Sequence, residues 1–415
     1  MIKEDKIWDV IVIGGGPAGM MAAGRAAERG LSVLLIEKNE KLGKKLLITG
    51  GGRCNVTNAE ENVRKLLSKY KDSDKFLFSA FSQYGVKETL DFFHSNGMET
   101  KIEPGNRIFP INDKSQSVLD VLVSYIKKNK VTIQSNSPVT GFVKDGSQID
   151  SVRLADGIEI KAKSFILATG GKSRPETGST GDGFNWLREL GHTITDSEPC
   201  LVPISIKDSW LKKLQGVTLP EVKITVLQNN EKQEIKKGKI LFTHFGLSGP
   251  SILNMSKDIG ELLKYGSVFL SLDILSNLDY GQLNLRLQEI FQKESKKKFK
   301  NCLGELIPSA LIPIVIELSK INPDIQANGV SREERLGLVQ LLKDIRIEVK
   351  DLLGTDKAII TSGGVSLEEI NFKTMQSKLY PNLYLIGDIL DIDRPSGGYS
   401  LQLCWTTGFV AGDSV

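Results

Sequence analysis

The junction of an apolar run, Asp9–Ile13, with the turn Gly14–Gly19 constrains the fold more than any other feature of the chain. Gly14, Gly16 and Gly19 fall at the spacing G-x-G-x-x-G. An Ala-rich helix over Met20–Arg29 and a second strand over Ser32–Ile36 follow, and that strand closes on Glu37. This order of strand, turn, helix, strand and acid is what the pyrophosphate of a dinucleotide requires. Gly14 permits the tight turn, Gly16 lets the backbone approach the phosphates, and Gly19 lets the helix pack closely on the strand. The helix N-terminus attracts the anion. Glu37, 23 residues after Gly14, is placed to hold the adenosine ribose hydroxyls.

At 415 residues the chain exceeds one ordinary core. With 40% hydrophobic and 25% charged residues, its composition is that of a soluble protein. No apolar run reaches the roughly 18 residues of a membrane span, so no membrane partner is expected. The charged stretch Met1–Trp8 leads almost at once into the first strand, leaving no room for a signal peptide, and a cytoplasmic protein is expected. A net charge of +4 is small for this length and gives little support to a nucleic-acid partner. The basic run Lys293–Lys300 reads first as the solvated end of a helix. The 4 cysteines form no C-x-x-C pair, and with 3 histidines no metal site is expected.

Residues 1–193 carry α/β signals, including amphipathic stretches at 76–96 and 117–128. A meander over Thr132–Ser135, Val139–Lys144 and Ile149–Ala155 precedes a buried strand, Ser164–Ala168. Near Pro199 the pattern changes to short alternating segments (Leu201–Ile206, Glu221–Leu227, Ser267–Leu272), the pattern of an antiparallel barrel or sandwich. Helical spacing dominates from about Asp279 to Asp344, and α/β character returns with the strand Leu383–Ile386 and a last helix over Leu401–Ala411. The expected organisation is a nucleotide domain, 1–193 and 356–415, interrupted by an insert over 194–355. Within the insert the barrel-like part is placed at 194–275 and 345–355, and a helical part at 276–344.

Three distant glycine-bearing segments point to the dinucleotide. They are the N-terminal turn; Thr169-Gly170-Gly171 with the turn around Asp182; and Gly387-Asp388, leading through Gly397 and Gly398 to Tyr399. A nicotinamide-only domain needs nothing like the second and third. FAD is longer, and Asp388 after the C-terminal strand would accept hydrogen bonds from its ribityl or neighbouring hydroxyls. The N-terminus of the last helix would then stabilise the charge that reduction places on the flavin.

The segments Gly43-Lys44-Lys45, Thr49–Asn58, Thr169–Ser173, Leu241–Pro250, Thr361–Val365 and Gly387–Asp393 resemble one flavoprotein family across essentially the whole chain. That family includes aminoacetone oxidase and a bile-acid 3-oxo-Δ4 reductase and is known as NAD(FAD)-utilising dehydrogenases. The resemblance implies an α/β fold: a Rossmann-like FAD-binding domain of the glutathione-reductase type, interrupted by a β-barrel insert with a small helical subdomain. This chain departs in having Asp388 where relatives commonly have Glu, and Ser396 where they often have Thr. The shorter acid keeps the acceptor and shifts its reach.

The candidate cofactor-binding residues are Gly14, Gly16, Ala18, Gly19, Glu37, Lys38, Lys44, Gly51, Arg53, Asn55, Val139, Thr169, Gly170, Asp182, Gly387, Asp388, Gly398 and Tyr399. Arg53 and Asn55 are expected on flavin or pyrophosphate oxygens, with a surface ion pair as the plainer role for Arg53. Cys54 reads as a packed small residue. No histidine in the glycine loop could attach the flavin, so non-covalent FAD is expected. His244 is the candidate catalytic residue, a proton donor or acceptor during hydride transfer. Arg394 is a candidate anchor for an anionic substrate. The expected function is an FAD-dependent oxidoreductase moving hydride between a small organic substrate and flavin N5, as an amine oxidase or enone reductase. The single dinucleotide fingerprint argues against a second, nicotinamide-binding domain, and the resemblance to reductases implies NAD(P)H as a transient reductant. The alternative is a tRNA-modifying or RNA-binding flavoprotein.

Overall fold

In the computed structural model of the chain, residues 6–195, 199–354, 360–361 and 363–415 are described. Ser362 of the Thr361–Val365 segment, the expected boundary at 355–356 and the first residues of the charged N-terminus lie outside them. Leu201–Gly354 forms one compact unit and the rest of the described chain another.

The larger unit is built on Trp8–Ile13, buried along almost all its length. A parallel strand covered on both faces needs apolar side chains at nearly every position. This strand pairs in parallel with Val33–Ile36 on one side and Glu159–Leu167 on the other. Thr132–Gln134 extends the sheet beyond Val33–Ile36. Glu159–Leu167 is shared. Its first residues close an antiparallel meander with Gln148–Leu154 and Val139–Asp145. Its last three, Phe165, Ile166 and Leu167, pair in parallel with Leu383–Leu385. The carboxyl ends of three neighbouring parallel strands therefore carry Gly14, Thr169-Gly170 and Gly387-Asp388, the edge at which open α/β sheets bind ligands.

The first helix, Pro17–Glu28, begins three residues before the expected Met20, with Pro17 in its first turn. Proline suits that position because its missing N–H would lack an intrahelical partner anyway. The last helix, Tyr399–Ser414, lies against it so closely that a Cβ on Gly408 would stand 2.6 Å from the Ala18 carbonyl oxygen. The stretch expected to be amphipathic at 76–96 is two helices, Asp74–Gln83 and Val86–Ser95, broken at Tyr84-Gly85.

The smaller unit contains a closed six-stranded barrel, not a sandwich. Its order is Ile204–Ile206, Gly246–Ser248, Glu231–Phe242, Thr218–Gln228, Val268–Asp273 and Ile345–Leu352. Three α-helices, Tyr280–Lys293, Ile312–Ser319 and Arg332–Lys343, lie between Val268–Asp273 and Ile345–Leu352, and a further one, Pro250–Leu263, precedes Val268–Asp273. Among the described residues no helix is long and apolar enough to cross a membrane.

Candidate cofactor site

One cavity in the larger unit runs past all three strand ends. Its walls are Gly14–Ala18, Glu37–Asn39, Gly43–Leu46 with Thr49, Ser137 and Val139, Ala168–Gly170, Thr177–Thr180 with Asp182 and Trp186, and Ile386–Asp388 with Ser400, Leu401 and Cys404. The glycine turn is shaped by its neighbours. A Cβ on Gly14 would lie 2.5 Å from the Ala168 carbonyl oxygen, and one on Gly19 would lie 1.9 Å from the Gly14 carbonyl oxygen. A Cβ on Gly16 would meet no protein atom within 4 Å, so room is left free where the helix begins. No side chain caps that helix, and its first amides are open to an anion.

Glu37 is 8% exposed and braces the turn. Its Oε2 accepts the Gly15 amide at 2.7 Å, while Oε1 accepts the Asn39 amide at 2.8 Å and Asn39 Nδ2 at 2.7 Å. A carboxylate has capacity left for hydroxyl donors beyond these. Lys38 reaches across the cavity: its Nζ donates to Thr180 Oγ1 at 2.6 Å and to Asp182 Oδ2 at 2.9 Å. Burial works against the charged form of Asp182, but hydrogen bonds from Lys38 and Thr180 outweigh it and hold the carboxyl below its ordinary value. Lys44 Nζ lies 3.4 Å from Asn39 Oδ1. Thr169 Oγ1 is buried with no hydrogen-bond partner among the described residues.

At the Asp388 end, one carboxylate oxygen bonds Arg394 and the other lies 3.3 Å from Lys45 Nζ. The last helix also starts without a side-chain cap, and Ser400 and Leu401 in its first turn line the cavity. An acid near the first turn, two uncapped helix starts, an orphaned hydroxyl and a second acid beside a cation form a donor and acceptor set that fits FAD.

The sequence model of the HI0933-like protein Rossmann domain matches residues 8–414. The chain belongs to the HI0933-like family. It is 32% identical over 405 residues to a 3-dehydro-bile acid delta(4,6)-reductase of Clostridium scindens, covering 97% of each chain. It is 30% identical over 409 residues to a ribosomal RNA dihydrouridine synthase of Escherichia coli, covering 97% of this chain and 96% of that one. Among solved structures, a 3-ketosteroid delta1-dehydrogenase from Sterolibacterium denitrificans shares the fold, with a TM-score of 0.56 at 13% identity over 98% of both chains.

In this HI0933-like chain, six candidate residues are not among those that line the cavity: Gly19, Gly51, Arg53, Asn55, Gly398 and Tyr399. Gly19 and Gly398 are packing positions; a Cβ on Gly398 would stand 2.3 Å from the Thr57 carbonyl carbon. Tyr399 packs edge-on against Tyr70 at 6.0 Å between ring centroids. Arg53 takes its plainer role. Its Nε donates to Asp113 at 2.8 Å, it also pairs with Glu103, and it lies 4.1 Å from the Phe109 ring centre. Asn55 Oδ1 is buried without a hydrogen-bond partner among the described residues. Gly50, Gly51 and Gly52 all have positive φ, which is why this loop is glycine. Cys54 is fully buried, and burial pushes its thiol up to about 12. That leaves no thiolate for redox chemistry.

Sequence reasoning passed over Lys45, Ser173 and Cys404. The pair Lys44-Lys45 was visible, but only the structure shows Lys45 meeting Asp388 and Ser173. Arg394, expected to anchor a substrate, is 3% exposed and bound to Asp388. In the smaller unit, His244 is exposed at the tip of a hairpin between Glu231–Phe242 and Gly246–Ser248. The tip is held by the Thr243 amide donating to the Gly246 carbonyl at 2.8 Å, and His244 meets Phe245 edge-on at 4.8 Å. In the basic run, Lys293 pairs with Glu305, Lys297 with Glu294, and Lys298 and Lys300 with Asp324.

Proposed function

We propose that this HI0933-like chain is an FAD-dependent oxidoreductase that moves hydride between flavin N5 and a small organic substrate. The substrate class we favour is a carbon–carbon double bond conjugated to a carbonyl. The observation that carries this reading is full-length similarity to two proteins whose names both describe saturation of such a bond, one in a bile acid and one in a uridine. Bound FAD supplies the two-electron centre; the protein binds and orients it. Glu37 holds the ribose, and the uncapped start of Pro17–Glu28 faces the pyrophosphate. Gly387-Asp388 and Lys45 hold the ribityl side. The start of Tyr399–Ser414 favours negative charge at its end of the cavity. We retain His244 as the candidate proton donor or acceptor in hydride transfer. NADH or NADPH docks transiently as the reductant, as in an enone reductase, whereas an amine oxidase would be reduced by its substrate.

Anaerobic mixing tests the reading. NADH or NADPH should bleach the flavin, and a cyclic enone should restore its colour faster than air does. Failure of NADH, NADPH and simple amines alike to bleach it would overturn the proposal. Replacing His244 with Asn should slow recolouring by about a hundredfold or more. An RNA substrate is the second reading, carried by the name of the Escherichia coli relative. The pairing of Lys293–Lys300 with neighbouring acids weakens the sequence argument for it. Salt-dependent retention of ribosomal RNA would favour that reading; no retention at low salt would remove it.

A further inference from the structure

Arg394 is a charged side chain in an interior position. Its side chain is 1% exposed, and all three guanidinium nitrogens are occupied. Nε donates to Ser400 Oγ at 3.1 Å, Nη1 to the Ile392 carbonyl at 2.6 Å, and Nη2 to Asp388 Oδ1. On the other side of the carboxylate, Lys45 Nζ lies 3.3 Å from Asp388 Oδ2 and donates to Ser173 Oγ at 2.7 Å. Asp388 and Lys45 line the cofactor cavity; Arg394 is not among the lining residues. A buried ion pair recovers little net stability, because desolvating the two charges offsets much of their attraction. The pair therefore calls for a use beyond stability.

We propose that Arg394 is a positioning residue for FAD. It fixes the Asp388 carboxylate, ionised and in one orientation, as the acceptor for cofactor hydroxyls, and Lys45 gives the cluster a net positive charge at the cavity wall. The inference rests on the FAD reading above and adds a residue that the cavity itself does not reveal. It also replaces the expectation that Arg394 meets an anionic substrate.

Three further groups face the pair: Lys45 from the helix Lys44–Ile48, Cys404 from the last helix, and Tyr70, which interacts electrostatically with Arg394. Burial pushes the Cys404 thiol up to about 12, so it stays neutral near neutrality. Burial alone would raise the Asp388 carboxyl, but the charges of Arg394 and Lys45 outweigh it and hold it below its ordinary value. Asp388 is thus ionised throughout the neutral range. Without Arg394 the burial effect prevails, the carboxyl titrates closer to neutrality, and FAD affinity comes to depend on pH.

The test is titration of the full chain, stripped of flavin, with FAD, read by flavin fluorescence from about pH 5.5 to 8.5. Wild type should show a nearly constant Kd. R394M should bind about tenfold more weakly at neutral pH, the scale of a charge-assisted hydrogen bond, and should recover affinity as pH rises. R394K should restore most of the affinity. D388N should weaken binding similarly, and adding R394M to it should change little further, because Arg394 acts through Asp388. Wild-type Kd at every pH in R394M, or additive effects of the two substitutions, would overturn the inference. A purely structural role would lower the melting temperature of R394M but leave its Kd flat with pH. If R394M does not fold, D388N/R394M removes the unpaired buried charge and must bind FAD as D388N does. If wild type itself binds no FAD, the cofactor reading fails instead.

Discussion

The chain has two glycine clusters, Gly14–Gly19 and Gly50–Gly52, and they use glycine for different reasons. In the first, neighbouring backbone leaves no space at Gly14 and Gly19: a Cβ on Gly19 would meet the Gly14 carbonyl oxygen at 1.9 Å. In the second, Gly51 and Gly52 have nothing within 4 Å of an added Cβ, and their φ values of 69° and 87° are what select glycine. Gly14, Gly15 and Gly16 of the first cluster line the cofactor cavity, and no glycine of the second does. A glycine hemmed in by backbone cannot be replaced without moving the fold, whereas one chosen for φ alone carries only a local strain.

The largest expected effect is therefore from Gly19→Val, which should prevent FAD retention and lower the melting temperature severely, since overpacking against backbone cannot relax. A Gly19→Val protein that keeps its flavin would break the comparison. Glu37→Gln comes next. It keeps the size of the brace but loses charge toward the turn amides, and FAD affinity should fall about tenfold in a fluorescence titration. Gly51→Ala should cost about 1 kcal/mol of stability from its left-handed backbone. It should leave ADP affinity unchanged, and weaker ADP binding would show that the two clusters act together. Smallest is Arg53→Met, which should leave FAD affinity unaltered because its partners are Glu103 and Asp113.

A control outside the cavity lining is His192, whose Nδ1 lies 2.8 Å from Glu369 Oε2 and whose Nε2 lies 3.1 Å from Ser377 Oγ. Burial, outweighing the Glu369 charge, holds the imidazole below its ordinary value of 6.5. The unfolded chain then binds the proton more readily. Stability from this site is complete above the ordinary value and falls as pH drops below it. Melting temperatures across that range should show the loss in wild type and a smaller one in His192→Gln.

What could be read from the sequence was contiguous. The first turn and Glu37 lie within one strand–helix–strand unit, and periodicity and spacing reveal such a unit directly. The Asp388 cluster joins Lys45 to Asp388 across 343 positions, a meeting that only the parallel pairing of Leu383–Leu385 with Glu159–Leu167 explains. The glycine loop suggests a cofactor role for Arg53, whereas its acidic partners lie on or beside a hairpin, Thr100–Glu103 with Arg107–Pro110, that carries no strong alternation. The barrel strand Glu231–Phe242 was hidden in the same way, by exposed Glu231, Gln233, Lys237 and Lys239 along its length. Charged residues on a solvated strand face erase the apolar period that would announce it.

The central claim is that one cavity, from Glu37 to Asp388, holds a single FAD. Calorimetric titration of the flavin-free chain with FAD, ADP and FMN tests it most directly. The account expects one FAD per chain, with ADP competing because it fills the glycine-turn end and FMN competing poorly because it lacks that half. Binding of FMN as tight as that of FAD, or FAD binding that ADP does not displace, would contradict it.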